Sequence, residues 1–286
     1  MREIVWRFDD PTSSLAAEPT DPASAQERLE TGNTAFAELF DESGLDTRVI
    51  QLSPSDLGVS EDGRPPAQSP FAAVLSCSDA RAPVELLLNQ RANDVFVVRV
   101  AGGVLSEEAL GSLDFALDNL AAMQIVAALG HTGCGAVNAA VTTYLDPPSY
   151  LSLADSRPLL ALVQNLLGSV RLADHALHHV HGTDVVARPG YRSALTATAV
   201  VAGAAINASS LAVHIAQRRQ PGAAPIGTVY GVYDLLSRRI GLPGTTSSWT
   251  PGLVAAPKDG PSLVHALNEA VFGPYITGML DTSDDG

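Results

Sequence analysis

Residues 71–81 read FAAVLSCSDAR. An apolar run of this length, closed by polar residues, predicts a buried strand that carries its last side chains to its C-terminal end. At that end stand a thiol (Cys77), a carboxylate (Asp79) and a guanidinium (Arg81). A free cysteine is more often a small buried hydrophobe than a reactive group. The reading of Cys77 therefore turns on what else in the chain converges on it.

Working outward, strand and helix signals alternate. A helix is expected over 25–40, weakened or broken in the middle by Gly32-Asn33. Residues 41–67 read as loop. After the strand at 71–76 come a short helix at 84–88, a β-branched strand at 94–100 and a tight Ala101-Gly102-Gly103 turn. Ser106 is placed to cap a helix running to about 120, with Glu107 and Glu108 in its first turn. A strand at 124–129, a glycine-rich turn at 130–135 and a helix at 136–144 follow. Long helices are expected over 159–181 and 193–219, a further strand over 226–235 and a short helix over 262–272. The alternation predicts an α/β fold: a mainly parallel central sheet of about four to five strands, flanked by helices, with an N-terminal helical arm. The expected organisation is a mobile arm (1–24), one α/β domain (25–241), and a C-terminal extension (242–286) with a short helix and an acidic tail.

Hydrophobic residues make up 46% of the 286, enough for a sizeable core. A net charge of −14 argues against a nucleic-acid-binding or anionic-membrane surface. The apolar run 194–216 approaches the length of a membrane span, but Thr196, Thr198, Asn207, Ser209, Ser210 and His214 interrupt it. A buried or interface helix is the expectation. The N-terminal residues contain no apolar signal-like segment, which predicts a cytoplasmic chain. In that compartment Cys77 and Cys134 are expected to ligate a metal or lie buried, not to form a disulfide.

Ligands of open α/β sheets bind beyond the carboxyl ends of the strands. Cys77 follows one predicted strand, His131 follows another, and Cys134 opens the next helix. Two thiolates and an imidazole suit zinc, and three protein ligands leave a fourth position open, the pattern of a catalytic site. Asp79 and Arg81, two apart on extended chain, point the same way and can pair. That pair reads either as a device that orients a water or hydroxide on the metal, or as a structural ion pair. A second group, His175, His178, His179 and His181, reads as a surface or interface helix rather than a second metal site.

At these residues the chain resembles the β-class carbonic anhydrases. The family pattern is Cys-x-Asp-x-Arg followed by His-x-x-Cys, and here 54 residues separate Cys77 from His131. Arg99-Val-Ala-Gly-Gly resembles the family's Arg-Asn-Ala-Gly-Asn turn, with Val100 and Gly103 in place of the two Asn. Gly111-Ser-Leu-Asp-Phe-Ala, Val229-Tyr-Gly-Val-Tyr-Asp and the segment LETGNTAF also resemble family segments, with Phe115 where many relatives carry Tyr.

The resemblance implies one Zn2+ per chain on Cys77, His131 and Cys134, and reversible hydration of carbon dioxide by zinc hydroxide oriented by Asp79 and Arg81. It further implies a substrate pocket involving Gln68, Val100, Gly102, Gly103 and Phe115, and a homodimer or dimer of dimers. In some relatives the aspartate closes the metal site at low pH, a role Asp79 would take. The rival readings are a carbonyl sulfide or carbon disulfide hydrolase of the same family, and a non-catalytic zinc-binding protein.

Overall fold

The computed structural model describes residues 3–8, 18–39, 47–52, 67–153, 155–220 and 222–282. In chain order the elements are β1 (Glu3–Phe8), α1 (Pro22–Glu38), β2 (Thr47–Leu52), β3 (Ala72–Ser76), α2 (Val84–Leu87), β4 (Val95–Arg99), α3 (Glu107–Asn119) and β5 (Ile125–His131). Then come α4 (Gly135–Leu145), α5 (Ser149–Leu153), α6 (Arg157–His181), α7 (Tyr191–Arg218), β6 (Gly227–Tyr233), β7 (Ile240–Leu242), β8 (Thr250–Pro251), β9 (Val254–Ala255), α8 (Gly260–Phe272) and α9 (Pro274–Leu280).

Among the described residues, seven strands form the central sheet in the order β4-β3-β5-β6-β7-β8, with β9 also on β6. The first four are mutually parallel and the rest join antiparallel. Parallel neighbours need long crossovers, which the helices supply. After β3 the chain steps to β4 on one side; after β5 it steps to β6 on the other. The connections therefore diverge between the carboxyl ends of β3 and β5, which is where open α/β sheets form their ligand crevice.

β3 and the first five residues of β5 are buried throughout, as expected of strands covered on both faces. Alternate side chains serve opposite layers. Ala72, Val74, Ile125 and Ala127 pack with Leu29 and Phe36 of α1. Ala73, Leu75 and Val126 pack with Leu113 of α3 and Leu211 of α7. A third layer joins α4, α6, α7 and α8, with Leu195 fully buried in it. Replacing Leu195 with alanine is expected to destabilise the fold by about 2–5 kcal/mol, read as a lower midpoint in chemical denaturation with an unchanged slope.

Three expectations differ from what is observed. First, α1 runs without a break through Gly32-Asn33. A Cβ on Gly32 would lie 1.9 Å from the Leu88 carbonyl oxygen, so glycine here admits a close backbone approach. Asn33 donates to the Leu87 and Arg238 carbonyls and accepts from the Ile240 N–H. The pair docks the helix. Second, β1 and β2 form a parallel two-stranded sheet where an arm and a loop were expected. The rest of the expected arm before residue 18, the last residue of the expected helix (40), most of the remaining expected loop (41–46 and 53–66) and the end of the acidic tail (283–286) lie outside the described residues. Third, the stretch after 242 is built into the domain: β8 and β9 extend the sheet, and Leu267, Val271, Ile276 and Leu280 are buried in the helical layer. Strands of two residues carry no period by which a sequence reading finds them.

α7 is long and apolar enough to cross a bilayer, by length and composition. Of the two expectations, a buried or an interface helix, its packing fits the first, with Ala194, Leu195, Ala199, Ala202, Ala205 and Leu211 buried against the sheet and the neighbouring helices.

Candidate metal centre

The crevice between β3 and β5 gathers Cys77, His131 and Cys134, all buried, with their ligand atoms within 4.8 Å of one another. Cys77 is the first residue past β3, His131 the last of β5, and Cys134 the N-cap of α4. Gly133, at φ 67°, makes the turn that brings Cys134 back beside His131. Among the described residues, no other group of three or more such side chains gathers in this way.

The two sulfurs lie 3.9 Å apart and both cysteines are free. Two thiolates on a tetrahedral zinc, with Zn–S near 2.3 Å, stand about 3.8 Å apart, so the spacing fits that ion. The Cys134 thiol, hydrogen-bonded to the Cys77 sulfur, pulls the Cys77 pKa well below that of a free thiol, against the opposing effect of burial. The same contact, with burial, pushes Cys134 up. The two sulfurs thus stand in hydrogen-bond contact, in a place suited to a divalent cation.

His131 completes the fit. Its Nδ1 donates to the Thr132 carbonyl at 3.0 Å, which leaves the lone pair on Nε2. That Nε2 is buried and has no hydrogen-bond partner, an orphan facing the sulfurs. Burial lowers the affinity of this imidazole for a proton, but the Cys77 sulfur, the Thr132 carbonyl and the Asp79 carboxylate together outweigh it, so its pKa sits above the ordinary value.

Asp79 and Arg81 form the expected pair. Arg81 Nη2 donates to Oδ2 at 2.7 Å, and its Nε and backbone N–H both donate to Oδ1. These hydrogen bonds hold the Asp79 carboxyl far below the usual carboxylate range, although burial opposes them. Oδ2 stands 3.8 Å from His131 Nε2, so the carboxylate faces the ligand cluster.

The remaining expected residues are placed less uniformly. Gly102 and Gly103 line a cavity beside the three ligands, with about 20 Å³ of room for a water-sized sphere, enough for about one water. Gly102 also donates its N–H to Cys77 Sγ at 3.2 Å. Val100, Phe115 and Gln68 do not line that cavity. Val100 is half-buried between two core layers. Phe115 is 51% exposed on α3, near Phe96, and Gln68 is exposed ahead of β3. The histidines of α6 lie as expected of a surface helix: His175 and His179 are exposed, and His178 and His181 turn to Asp174 and the Val271 carbonyl.

A family profile described as "Carbonic anhydrase" matches residues 72–189, which include the three ligands, Asp79 and Arg81. Carbonic anhydrase 2 of Mycobacterium tuberculosis is 30% identical over 168 residues, covering 57% of this chain and 76% of that protein. The carbonic anhydrase of Mycolicibacterium smegmatis is 29% identical over 191 residues, 64% of this chain and 85% of that one. The chain belongs to the β-carbonic anhydrase family. Among solved structures, a β-carbonic anhydrase of Aspergillus fumigatus is similar at 21% identity and a TM-score of 0.42, covering 70% of this chain and 82% of that one.

In this β-carbonic anhydrase two supports were not found by sequence reasoning. Arg99 donates to the Cys77 carbonyl at 3.0 Å and to the Asp79 carbonyl at 2.5 Å, so the end of β4 braces the ligand loop. Asp234 accepts from the Thr132 hydroxyl, which itself accepts from the Leu235 N–H. This fixes the residue whose carbonyl orients His131. Arg99 was visible in the family-like turn, but its partners are backbone atoms, which leave no mark in a sequence.

Proposed function

We propose that the protein catalyses the reversible hydration of carbon dioxide to bicarbonate and a proton, with one zinc held by Cys77, His131 and Cys134. The observation that carries this reading is the orphaned His131 Nε2, buried beside two sulfurs 3.9 Å apart and 3.8 Å from Asp79 Oδ2. When bound, zinc supplies a water whose pKa lies near ~7, together with Lewis acidity.

The chain's own residues do the rest. Asp79 Oδ2 accepts a hydrogen bond from the attacking water and turns an oxygen lone pair towards the substrate carbon. Arg81 occupies Oδ1 and one side of Oδ2, which keeps the carboxylate ionised and its rotamer set. So acidic a carboxyl is a poor general base, so Asp79 orients the nucleophile while the proton leaves to solvent. Burial of Cys77, His131 and Cys134 keeps bulk water from the ligands. A cytoplasmic homodimer completes the proposal: the dimer follows the family resemblance, and two unbonded thiols this close suit a reducing compartment.

Stopped-flow hydration assays on zinc-loaded protein, well above ~pH 7, test the reading, with carbonyl sulfide and carbon disulfide run beside carbon dioxide. Carbon dioxide is expected to be turned over fastest. Asp79→Asn is expected to retain zinc and lose about a hundredfold in kcat, the scale of removing one well-placed polar contact to the reacting centre. An Asp79→Asn variant as fast as wild type would remove the orienting role. Zinc-loaded wild type inert towards all three substrates would remove the enzyme.

A further inference from the structure

We infer that Asn207, on α7, is a positioning residue for the metal centre, acting through the glycine turn that donates to Cys77. The inference rests on the metal reading of Cys77, His131 and Cys134.

The turn is Ala101-Gly102-Gly103, between β4 and α3. Gly102 and Gly103 both take left-handed backbone, φ 71° and 64°. Glycine adopts that conformation freely, and for the same reason it does not hold one by itself. None of the three residues has a side chain able to hydrogen-bond. Inside the turn, Gly103 N–H reaches the Val100 carbonyl at 2.8 Å. Gly102 N–H is aimed at Cys77 Sγ, 3.2 Å away. The N–H that steadies a ligand sulfur is therefore carried by the most pliable kind of backbone, and something outside the turn must fix its orientation.

Asn207 meets that need. Its Nδ2 donates to the Gly103 carbonyl at 2.8 Å, from an element more than a hundred residues away in sequence. It is a lone amide on an alanine-rich stretch of α7, between Ala204, Ala205 and Ala208, all buried. With Gly103 it lines the same small cavity as the three ligands. α7 is anchored in the core along much of its length, so the amide transmits a rigid reference to the turn. The chain of contacts runs α7, Asn207, Gly103, Gly102 N–H, Cys77 Sγ. Outer hydrogen bonds of this kind orient ligands and set metal affinity, typically by ten- to a hundredfold.

The test uses full-length protein. Asn207→Ala removes the donor without adding bulk beside the cavity; Asn207→Asp keeps the shape and turns an acceptor towards the carbonyl. Thr198→Val, on the same helix but bonded only to the Ala194 carbonyl, is the control. Zinc affinity is measured by chelator competition, and the cobalt-substituted forms are examined for the thiolate-to-metal charge-transfer band. Both Asn207 variants are expected to bind zinc about ten- to a hundredfold more weakly. Their cobalt band is expected to move to longer wavelength, because a thiolate that loses an N–H donor gives up an electron more readily. The control is expected to match wild type in both. A folded Asn207 variant with wild-type affinity and an unmoved band would overturn the inference, as would a control that shifts equally. Wild type that takes up no zinc would instead remove the metal reading on which it rests.

Discussion

Cys77→Ala protein is expected to purify without stoichiometric zinc and to show no carbon dioxide hydration above the buffer rate. The substitution leaves two protein ligands, His131 and Cys134, where three converge. Zinc held by a full protein set is bound with about 10–16 kcal/mol. Loss of one thiolate ligand is expected to remove at least ~4 kcal/mol of that, about a thousandfold in affinity. The fold should survive. Cys77 lies past the end of β3, and the pairing of β3 with β4 and β5 runs over 72–76 without it. The outcome to measure is therefore specific: unchanged circular dichroism, metal content near zero, and no turnover. Zinc retained at one per chain in the alanine variant would show that Cys77 is not a ligand, and would return it to the ordinary role of a buried small hydrophobe.

The ligand set was legible because it depends on residue type at places the topology makes special. Cysteine and histidine at the ends of two predicted strands are rare, and a parallel sheet with diverging connections brings those ends together. The Asp79–Arg81 pair was legible for a similar reason: it is local, two residues apart on one loop. What escaped was set by packing between distant segments. Hydrophobic period tells which face of a helix is buried but not what it is buried against. The family resemblance implies a pocket role for Phe115, and the side chain lies half exposed on α3. Asn207 reads as an interruption of an apolar run, yet it makes the contact across to Gly103. Gly32-Asn33 reads as a helix breaker because local propensity is all that a local window contains.

That last pair leads to the second large effect. Gly32→Ala is expected to destabilise the protein by about 3–5 kcal/mol, against a gain of ~1 kcal/mol that alanine brings to a helix in isolation. The new Cβ would fall 1.9 Å from the Leu88 carbonyl oxygen and 2.9 Å from its carbon. Both are backbone atoms, so no rotamer change relieves the clash, and α1 must move off the sheet. Moving it strains the three hydrogen bonds of Asn33, to Leu87, Arg238 and Ile240, each worth about 1 kcal/mol. It also opens the packing of Leu29 and Phe36. For a chain of this length the loss corresponds to roughly 10 °C in Tm. Gly111 supplies the contrast: it is exposed on α3, and a Cβ there meets nothing within 4 Å. Gly111→Ala is expected to stabilise by up to ~1 kcal/mol. The same chemical change should thus act with opposite sign at two helical glycines. Thermal and denaturant unfolding of the two variants decides the matter: if Gly32→Ala is as stable as Gly111→Ala, the close approach of α1 to Leu88 does not hold the helix in place.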